Sequence, residues 1–338
     1  MNSLERLQSV LQAQPVDQTP NFDIFMTRAA RQIGAPLSRY YLDYHVLVEA
    51  NLAVWQAFQL DIVQAISDPY REAADAGLAV DFPADNLPLS RQPLIVEPED
   101  LARVRFPAAS FGPRMTDRLE AVRALREHAG DRVPVMGWVE GALAEAADLR
   151  GMNCIMMDLV MRPAWLRELL EKCTEVAIAF ATAQIEAGAH IIGLGDAVAS
   201  QISPRMYRQF ALPYEQRIFA AIKAKGAVPR LHICGNITHL LPDIGRSGAD
   251  IVDLDWMVDL HQASVALNGL ALCGNLDPVA VYLQGTPDTV RAGLLANAAV
   301  GYPRWISAAG CEIPEQTPAE NLLAQAQTLR DLAGRSAL

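Results

Sequence analysis

Three side chains that can bind a transition metal lie in two short segments of the sequence. His232 and Cys234 are separated by one residue, so on a β-strand both side chains point in the same direction. Cys311 lies 311 − 234 = 77 residues after Cys234, at the end of the run that we predict to be the last strand. Two thiolates and one imidazole are typical ligands of Zn²⁺, and three protein ligands leave a position for substrate. The spacing therefore indicates a catalytic zinc site; the alternative is three core side chains, because free cysteine is often buried.

Two further residues compete for a place at this site. Cys273, in the segment ALCGNLDP, also ends a predicted strand and as a fourth ligand would close the site, but a small core residue explains it equally well. Asp255 lies 255 − 234 = 21 residues after Cys234, at the end of the next predicted strand. It would supply an oxygen ligand or a hydrogen-bond partner for His232, unless it only caps a loop.

Polar side chains end other predicted strands as well. Glu140, in WVEGALAEAADLRG, and Asp196, in GLGDA, are candidates to orient a substrate or transfer a proton. The alternatives are a carboxylate at a helix N-terminus for Glu140 and a loop cap for Asp196. Asn275 and Asp277, in GNLDP, are the candidates for cofactor contacts, although fixing the turn is the simpler role for both.

Short β-prone runs alternate with helical segments from residue 115 onward. The runs are VPVMGWVEG (133–141), AHIIGLGDA (189–197), VPRLHICGN (228–236), ADIVDLDW (249–256), LALCGNLDP (270–278) and RWISAAGCEIP (304–314). The candidate site residues of these runs all lie toward the C-terminal end, which in a (β/α)8 barrel is the active-site face, whereas a doubly wound sheet collects ligands only near its switch point. We therefore predict an α/β fold, a (β/α)8 TIM barrel, in one domain over residues 1–338, with a helical extension at 1–60 and the barrel at 61–338.

The overall composition excludes several classes of partner. Lys and Arg number 28 against 39 Asp and Glu, giving a net charge of −11, which repels nucleic acid and anionic membranes. The N-terminal residues lack the apolar run of a secretory signal, so we expect a cytoplasmic protein. The five cysteines are then expected to be free thiols or metal ligands rather than disulfides.

Several segments, in chain order, resemble those of the uroporphyrinogen decarboxylase superfamily. They are AISDPYREAADAGLAVDF, MGWVEGALAEAADLRG, LGDAVASQISPRMYRQFALPYE, LHICGN, CGNLDP and GCEIPEQTPAENLLA, and the similarity runs from about Ile62 to the C-terminus. More narrowly, the chain is similar to the cobalamin-linked zinc methyltransferase branch (methylcobalamin:coenzyme M methyltransferase-like), in which His-x-Cys and a distant Cys bind zinc. This resemblance implies a (β/α)8 barrel with His232, Cys234 and Cys311 as ligands, and a remote likeness to cobalamin-independent methionine synthase implies an acidic fourth ligand near Asp255.

The same resemblance implies the chemistry and the partners. A substrate thiol at the open zinc position is deprotonated and attacks the methyl group of a methylated corrinoid, carried by a separate small protein. In the reverse direction, zinc polarises a small methyl donor such as a methyl ether and the corrinoid takes the methyl group. A homodimer is a further expectation.

The sequence is also compatible with two other functions. Asp68, in ISDPY, matches the catalytic aspartate of the true decarboxylases, which use neither metal nor cofactor. Their arginine-rich RQAGRY pattern is missing, however, since residues 25–35 read FMTRAARQIGA, and their late glycine-histidine pair is Gly310 and Cys311 here. The second alternative is a partner of a corrinoid protein that has lost catalysis.

Overall fold

The computed structural model describes residues 1–335, in which parallel strands alternate with helices. Within this range seven strands form one sheet in chain order, and each neighbouring pair is parallel. They are β1 Val63–Gln64, β2 Val135–Glu140, β3 Ile191–Gly195, β4 Val228–His232, β5 Ile251–Leu254, β6 Ala271–Gly274 and β7 Trp305–Ile306. Parallel strands in sequential order, each followed by helix, are the arrangement of a (β/α)8 barrel.

The helices surround this sheet and precede it. They are α1 Ser3–Leu11, α2 Thr27–Gln32, α3 Leu37–Leu42, α4 Tyr44–Phe58, α5 Arg71–Asp75, α6 Pro113–Ala129, α7 Ala142–Arg150, α8 Met152–Met161, α9 Pro163–Glu186, α10 Pro204–Phe210, α11 Leu212–Ala224, α12 Leu241–Ile244, α13 Leu260–Ala266, α14 Pro287–Ala299 and α15 Ala319–Arg335. Pro113, Pro163 and Pro287 each begin a helix, because proline fixes a helical φ where the missing N–H costs no hydrogen bond.

An extended segment near the N-terminus lies between the last strand and the first. The Phe22 N–H donates to the carbonyl of Ser307, and the Ser307 N–H donates to the carbonyl of Pro20, both at 2.9 Å. On its other side, the carbonyl of Asn21 accepts from the N–H of Asp61, just before β1, at 2.9 Å. This segment thus occupies the eighth position and closes the sheet. The predicted (β/α)8 class is confirmed, although the eighth position is filled from within residues 1–60, a region whose sequence indicated helices.

Side chains fill the interior of the barrel. Trp138 on β2 points inward across β3, where Gly193 leaves room for the indole, since a Cβ there would lie 2.2 Å from Trp138 Cε3. Leu7 and Val10 of α1 join Ile306 in the same buried inner cluster, which also holds the first residues of β3, β5 and β6. Helix α1 therefore covers the N-terminal end of the barrel and leaves the opposite end for the site.

The predicted elements match the observed ones with few exceptions. Each of the six predicted runs contains one strand. The two-residue strand β1 was missed because residues 61–114 are dense in proline and glycine, which leaves no clear strand pattern. Between β3 and β4 the helical region consists of two consecutive helices, α10 and α11, with Pro213 in the first turn of the second. Within the described range, we find no helix long and apolar enough to cross a membrane.

Candidate functional site

The three predicted metal ligands converge at the C-terminal end of the sheet. His232 is the last residue of β4, Cys234 follows in the loop, and Cys311 lies in the loop after β7. The distance is 2.9 Å from His232 Nε2 to Cys234 Sγ and 3.9 Å from the same nitrogen to Cys311 Sγ, and the two sulfurs are 3.8 Å apart. All three ligand atoms lie within 4.8 Å of one another. The structure therefore brings the trio together at one point, as the spacing required.

The trio has the chemistry and the spacing of a zinc site. Two sulfurs bound tetrahedrally at about 2.3 Å from one Zn²⁺ would be about 3.8 Å apart, and a sulfur and a bound imidazole nitrogen about 3.6 Å apart. The observed sulfur separation of 3.8 Å agrees with the first value, and the two nitrogen distances of 2.9 and 3.9 Å lie on either side of the second. Small side-chain movements would suffice for all three to hold one ion.

His232 is held in position from behind. Its Nδ1 lies 2.8 Å from Asp253 Oδ2, and Asp253 Oδ1 accepts from Arg230 Nε at 2.8 Å. A carboxylate on Nδ1 directs Nε2 toward a metal and raises the basicity of the ring. Although burial opposes ionisation, Arg230 and His232 keep the pKa of the Asp253 carboxyl below its usual range. Asp253 is therefore a charged partner of the histidine.

Of the three roles considered for Asp255, the contacts of its side chain match the loop cap. Its Oδ2 accepts from the Gly235 N–H at 2.8 Å, and the group of ligand atoms within 4.8 Å comprises His232, Cys234 and Cys311 alone among the described residues. Asp253 lies on β5, whereas Asp255 follows the last residue of this strand, and Asp253 is the one that reaches the ring. The partner of His232 is thus Asp253, and Asp255 fixes the loop that carries Cys234.

The three side chains of the trio shift one another's pKa. The hydrogen bond between the two thiols lowers the pKa of Cys311 well below its usual range and raises the pKa of Cys234. Burial disfavours an imidazolium at His232, but the interaction with Cys234 and the hydrogen bond to Asp253 raise the pKa of the ring. These contacts favour the ionised form of Cys311, and a bound cation would displace the remaining protons.

A cavity of about 200 Å³ opens directly above the trio. Its apolar wall includes Ile24, Ile66 and Trp138, and the Trp138 ring lies 5.7 Å from that of His232. We call this space the metal-site cavity. A second space of about 440 Å³, the outer cavity, shares Pro69, Glu140 and Ala197 with it and extends toward α7 and α8. Together they form a route from the surface to the sulfurs.

Glu140 and Asp196, the two predicted acid–base candidates, are separated by the fold. Glu140 lines both cavities, and its Oε1 accepts from Arg71 Nη2 at 2.7 Å and from Trp138 Nε1 at 3.1 Å. Burial raises the pKa of Glu140 to about 7, against the effect of Arg71. Asp196 is fully buried behind Gly141 and accepts from the Ala144 N–H at 3.0 Å. Asp196 is therefore a helix cap for α7 and not a wall of the cavity, which corrects its predicted position.

Asp68 lines the metal-site cavity as part of a buried ion pair. Its carboxylate accepts from Ser67 Oγ at 2.7 Å and from Arg114, and Arg71 donates to its backbone carbonyl. Although burial opposes ionisation, Arg114 and Arg71 lower the pKa of Asp68. The side chain is therefore a fixed negative charge and carries no proton to donate.

The residues of GNLDP and Cys273 have structural contacts. Asn275 Nδ2 donates to the backbone carbonyl of Val258 at 2.5 Å, and Asp277 Oδ1 accepts from the N–H groups of Val279 and Ala280 at 2.8 and 2.9 Å. These bonds fix the turn, which was the simpler of the two roles considered for both residues. Cys273 is buried in the barrel interior and lies 3.5 Å from Arg230, outside the trio.

The comparison with known proteins identifies the family of the chain. The family model for uroporphyrinogen decarboxylase (URO-D) matches residues 2–332. The chain belongs to the URO-D family. The superfamily predicted from the sequence is thereby confirmed.

Relatives within the URO-D family have two activities in their names. Methylcobamide:CoM methyltransferase MtbA of Methanosarcina mazei is 32% identical over 94% of this chain and 94% of the relative. A uroporphyrinogen decarboxylase of Trichormus variabilis is 32% identical over 70% of this chain and 69% of the relative. A solved methyltransferase structure from Methanosarcina mazei has a TM-score of 0.86 at 25% identity and covers 98% of this chain and 99% of its own. The predicted likeness to the methyltransferase branch is confirmed.

Five residues of this site had no predicted role: Arg230 and Asp253 behind His232, and Arg71, Trp138 and Glu312 around the cavity. Arg71 follows ISDPY and was not singled out, although an arginine in a short helix beside a candidate aspartate was a usable signal. Trp138 lies two residues before Glu140 on β2, so the period of a strand places both on one face. Glu312 follows Cys311 directly, and its Oε1 accepts from the N–H and hydroxyl of Thr27 at 2.7 Å. No local pattern links Glu312 to a residue so distant in sequence.

Proposed function

We propose that this chain is a zinc-dependent methyltransferase that moves a methyl group between a corrinoid and a small thiol or methyl compound. The observation that carries the proposal is the convergence of His232 Nε2, Cys234 Sγ and Cys311 Sγ within 4.8 Å at the floor of a cavity. The similarity to MtbA over 94% of both chains supports the same reaction class.

The residues of the site have different roles. We propose that His232, Cys234 and Cys311 hold the metal, with the open side of the trio toward the metal-site cavity. When bound there, zinc would supply Lewis-acid chemistry that keeps a substrate thiol deprotonated at neutral pH. Asp253 and Arg230 fix the ring of His232, and Trp138 packs beside it and excludes water.

The transfer itself needs no covalent bond to the protein. The substrate sulfur forms a bond to the methyl carbon while the cobalt–carbon bond of the corrinoid breaks. The bonding electron pair remains on the cobalt, and the thiol proton passes to water. Glu140, which lines both cavities and has a pKa of about 7, is the group placed to accept that proton on its way out.

The proposed reaction also involves a partner that presents the corrinoid. We propose that the corrinoid is presented by a separate protein at the outer cavity, because a space of about 440 Å³ borders the route to the trio there. Cytoplasmic location, a homodimer and the division into residues 1–60 and 61–338 of a single domain stay predictions from the sequence.

Methyl transfer from methylcobalamin is the experiment that tests the proposal. Zinc-loaded protein should demethylate methylcobalamin when a small thiol is added, which is visible as the loss of its absorption spectrum. Activity should disappear with a zinc chelator and return with added Zn²⁺. Chelator-insensitive release of CO₂ from a porphyrinogen would instead support the decarboxylase. Stoichiometric zinc without any turnover would support the non-catalytic partner.

A further inference from the structure

The arginine that lines the metal-site cavity already interacts with acidic residues of the chain. Among the described residues that line this cavity, Arg71 is the one Lys or Arg side chain. Its guanidinium donates to Glu140 Oε1 at 2.7 Å and to the backbone of Asp68, and it lies 3.4 Å from Glu72 Oε2. The Arg71 side chain is 1% exposed. Both terminal nitrogens of Arg71 are thus engaged within the chain, where the guanidinium faces three acidic residues.

Two helix N-termini near the two cavities are also occupied by carboxylates. The first turn of α7, beside the outer cavity, has Asp196 bonded to the Ala144 N–H at 3.0 Å. The first turn of α2 has Glu312 bonded to the Thr27 N–H at 2.7 Å. In these two helices a carboxylate of the chain therefore holds a position that a sulfonate or carboxylate ligand would use.

The outer cavity also has a paired arginine and an acidic side chain in its lining. Its one cation among the described residues, Arg91, is 77% exposed and paired with Asp81 at 2.7 Å. Asp148 lines the same cavity, and no hydrogen bond or ion pair reaches its carboxylate from the described part of the chain. An anion would therefore meet acidic side chains along the whole route to the trio.

The remaining wall of the metal-site cavity is apolar. Ile24, Met26, Ile66, Pro69 and Trp138 line it, and the one polar atom of Trp138 already donates to Glu140. Burying an unpaired anion against such a surface is costly, whereas an uncharged alkyl group gains free energy from the same contact.

We propose that the small substrate of this site is an uncharged thiol or methyl compound with an apolar substituent, and that the site rejects sulfonates. The inference rests on the proposed methyl transfer and narrows it. The MtbA and MtaA relatives carry CoM in their names, whereas the acceptor proposed here is argued from the lining of the two cavities of this chain.

A panel of thiols that differ in charge tests the proposal on the zinc-loaded wild-type protein. 2-Mercaptoethanol, cysteamine and 2-mercaptoethanesulfonate share a two-carbon thiol and are uncharged, cationic and anionic. We expect kcat/KM with methylcobalamin to be at least about tenfold higher for 2-mercaptoethanol than for the sulfonate. Titration calorimetry without methylcobalamin should give the same order of affinity. A preference for the sulfonate, or a tenfold preference for cysteamine, would overturn the assignment.

The two proposals fail in different ways. If no thiol is methylated, the proposed function is wrong, and the calorimetric order alone decides the charge preference. If the sulfonate is methylated best and binds best, methyl transfer stands and the inference about charge is wrong.

Glu140→Gln provides a second test, because it leaves the charge of Arg71 without its closest carboxylate. The sulfonate should then gain about tenfold in kcat/KM relative to 2-mercaptoethanol, and its affinity by calorimetry should rise. Glu175→Gln, on the exposed face of α9, is the matched control and should leave the ratio unchanged. An unchanged ratio in both variants would contradict the role assigned to the Arg71–Glu140 pair.

Discussion

The two ring nitrogens of His232 contact different partners. Nε2 faces the two sulfurs, and Nδ1 faces Asp253, which is in turn held by Arg230. The charged carboxylate of Asp253 therefore contacts the ring of His232 on the side opposite the candidate ion. The orientation of the ring therefore depends on a residue that touches neither metal nor substrate.

Asp253→Asn should weaken zinc binding while leaving the three ligands in place. Loss of the carboxylate removes the group that fixes the ring, and such changes lower metal affinity by about 10- to 100-fold. Competition with a chromophoric chelator would measure this, with circular dichroism to check folding. Asp61→Asn is the matched control, since Asp61 is similarly buried and ion-paired with Arg6 but lies just before β1, at the opposite end of the barrel. Equal or greater loss in Asp61→Asn would contradict the role assigned to Asp253.

At the scale of the elements, the strands position the site by alternation. Trp138 and Glu140 share the inner face of β2, and the glycines of β3 leave room for them, since a Cβ on Gly195 would lie 3.1 Å from Trp138 Cζ2. The indole then holds Glu140 through Nε1 at 3.1 Å. The shape of the cavity wall thus depends on the two glycines of β3, Gly193 and Gly195, which have no side chain.

Gly193→Ala should disturb this arrangement. The new Cβ would lie 2.2 Å from Trp138 Cε3, so the indole must move, at a cost of about 1–3 kcal/mol in the free energy of unfolding. Methyl transfer should fall as well, because Glu140 loses a donor. Gly245→Ala is the control: its Cβ would meet Leu267 at 3.6 Å, an ordinary contact. Urea unfolding compares the two, and equal effects would show that Gly193 is not required for the indole.

The sequence predicted the elements better than the contacts between them. The i, i+2 spacing of His232 and Cys234 was a local signal, and strand ends placed Cys311 on the same face. The closing segment around Asn21 carries no strand pattern, because its pairing depends on Ser307, 286 residues away (307 − 21 = 286). Asp253 and Asp255 were equivalent by pattern, and only the tertiary contacts with His232 and Gly235 separate them.

At the scale of the whole molecule, buried carboxylates link stability to pH. Glu215 is 1% exposed and bonded to the Tyr207 hydroxyl, and burial raises its pKa from 4.5 to about 7. Folded protein therefore binds this proton more tightly than unfolded protein. Stability from this group is fully present below about pH 4.5 and is lost as the pH rises through 7.

Glu215→Gln should accordingly flatten the pH dependence of stability. The wild-type free energy of unfolding should fall between pH 5 and 8, by up to about 3 kcal/mol from this group, and the amide should remove that part. Glu171→Gln, an exposed partner of Arg217, is the control and should keep the wild-type slope. Identical slopes in all three proteins would mean that Glu215 is ionised throughout.

We propose that Cys234 and Cys311, together with His232, hold a catalytic zinc ion. Zinc content and methyl transfer from methylcobalamin, measured on the same samples of Cys234→Ala, Cys311→Ala and Cys273→Ser, test it most directly. We expect about one zinc per chain in the wild type, loss of most zinc and activity in both alanine variants, and retention of both in Cys273→Ser, because Cys273 is buried beneath the site beside Arg230. Full zinc and full transfer in Cys311→Ala, with loss of both in Cys273→Ser, would contradict the account.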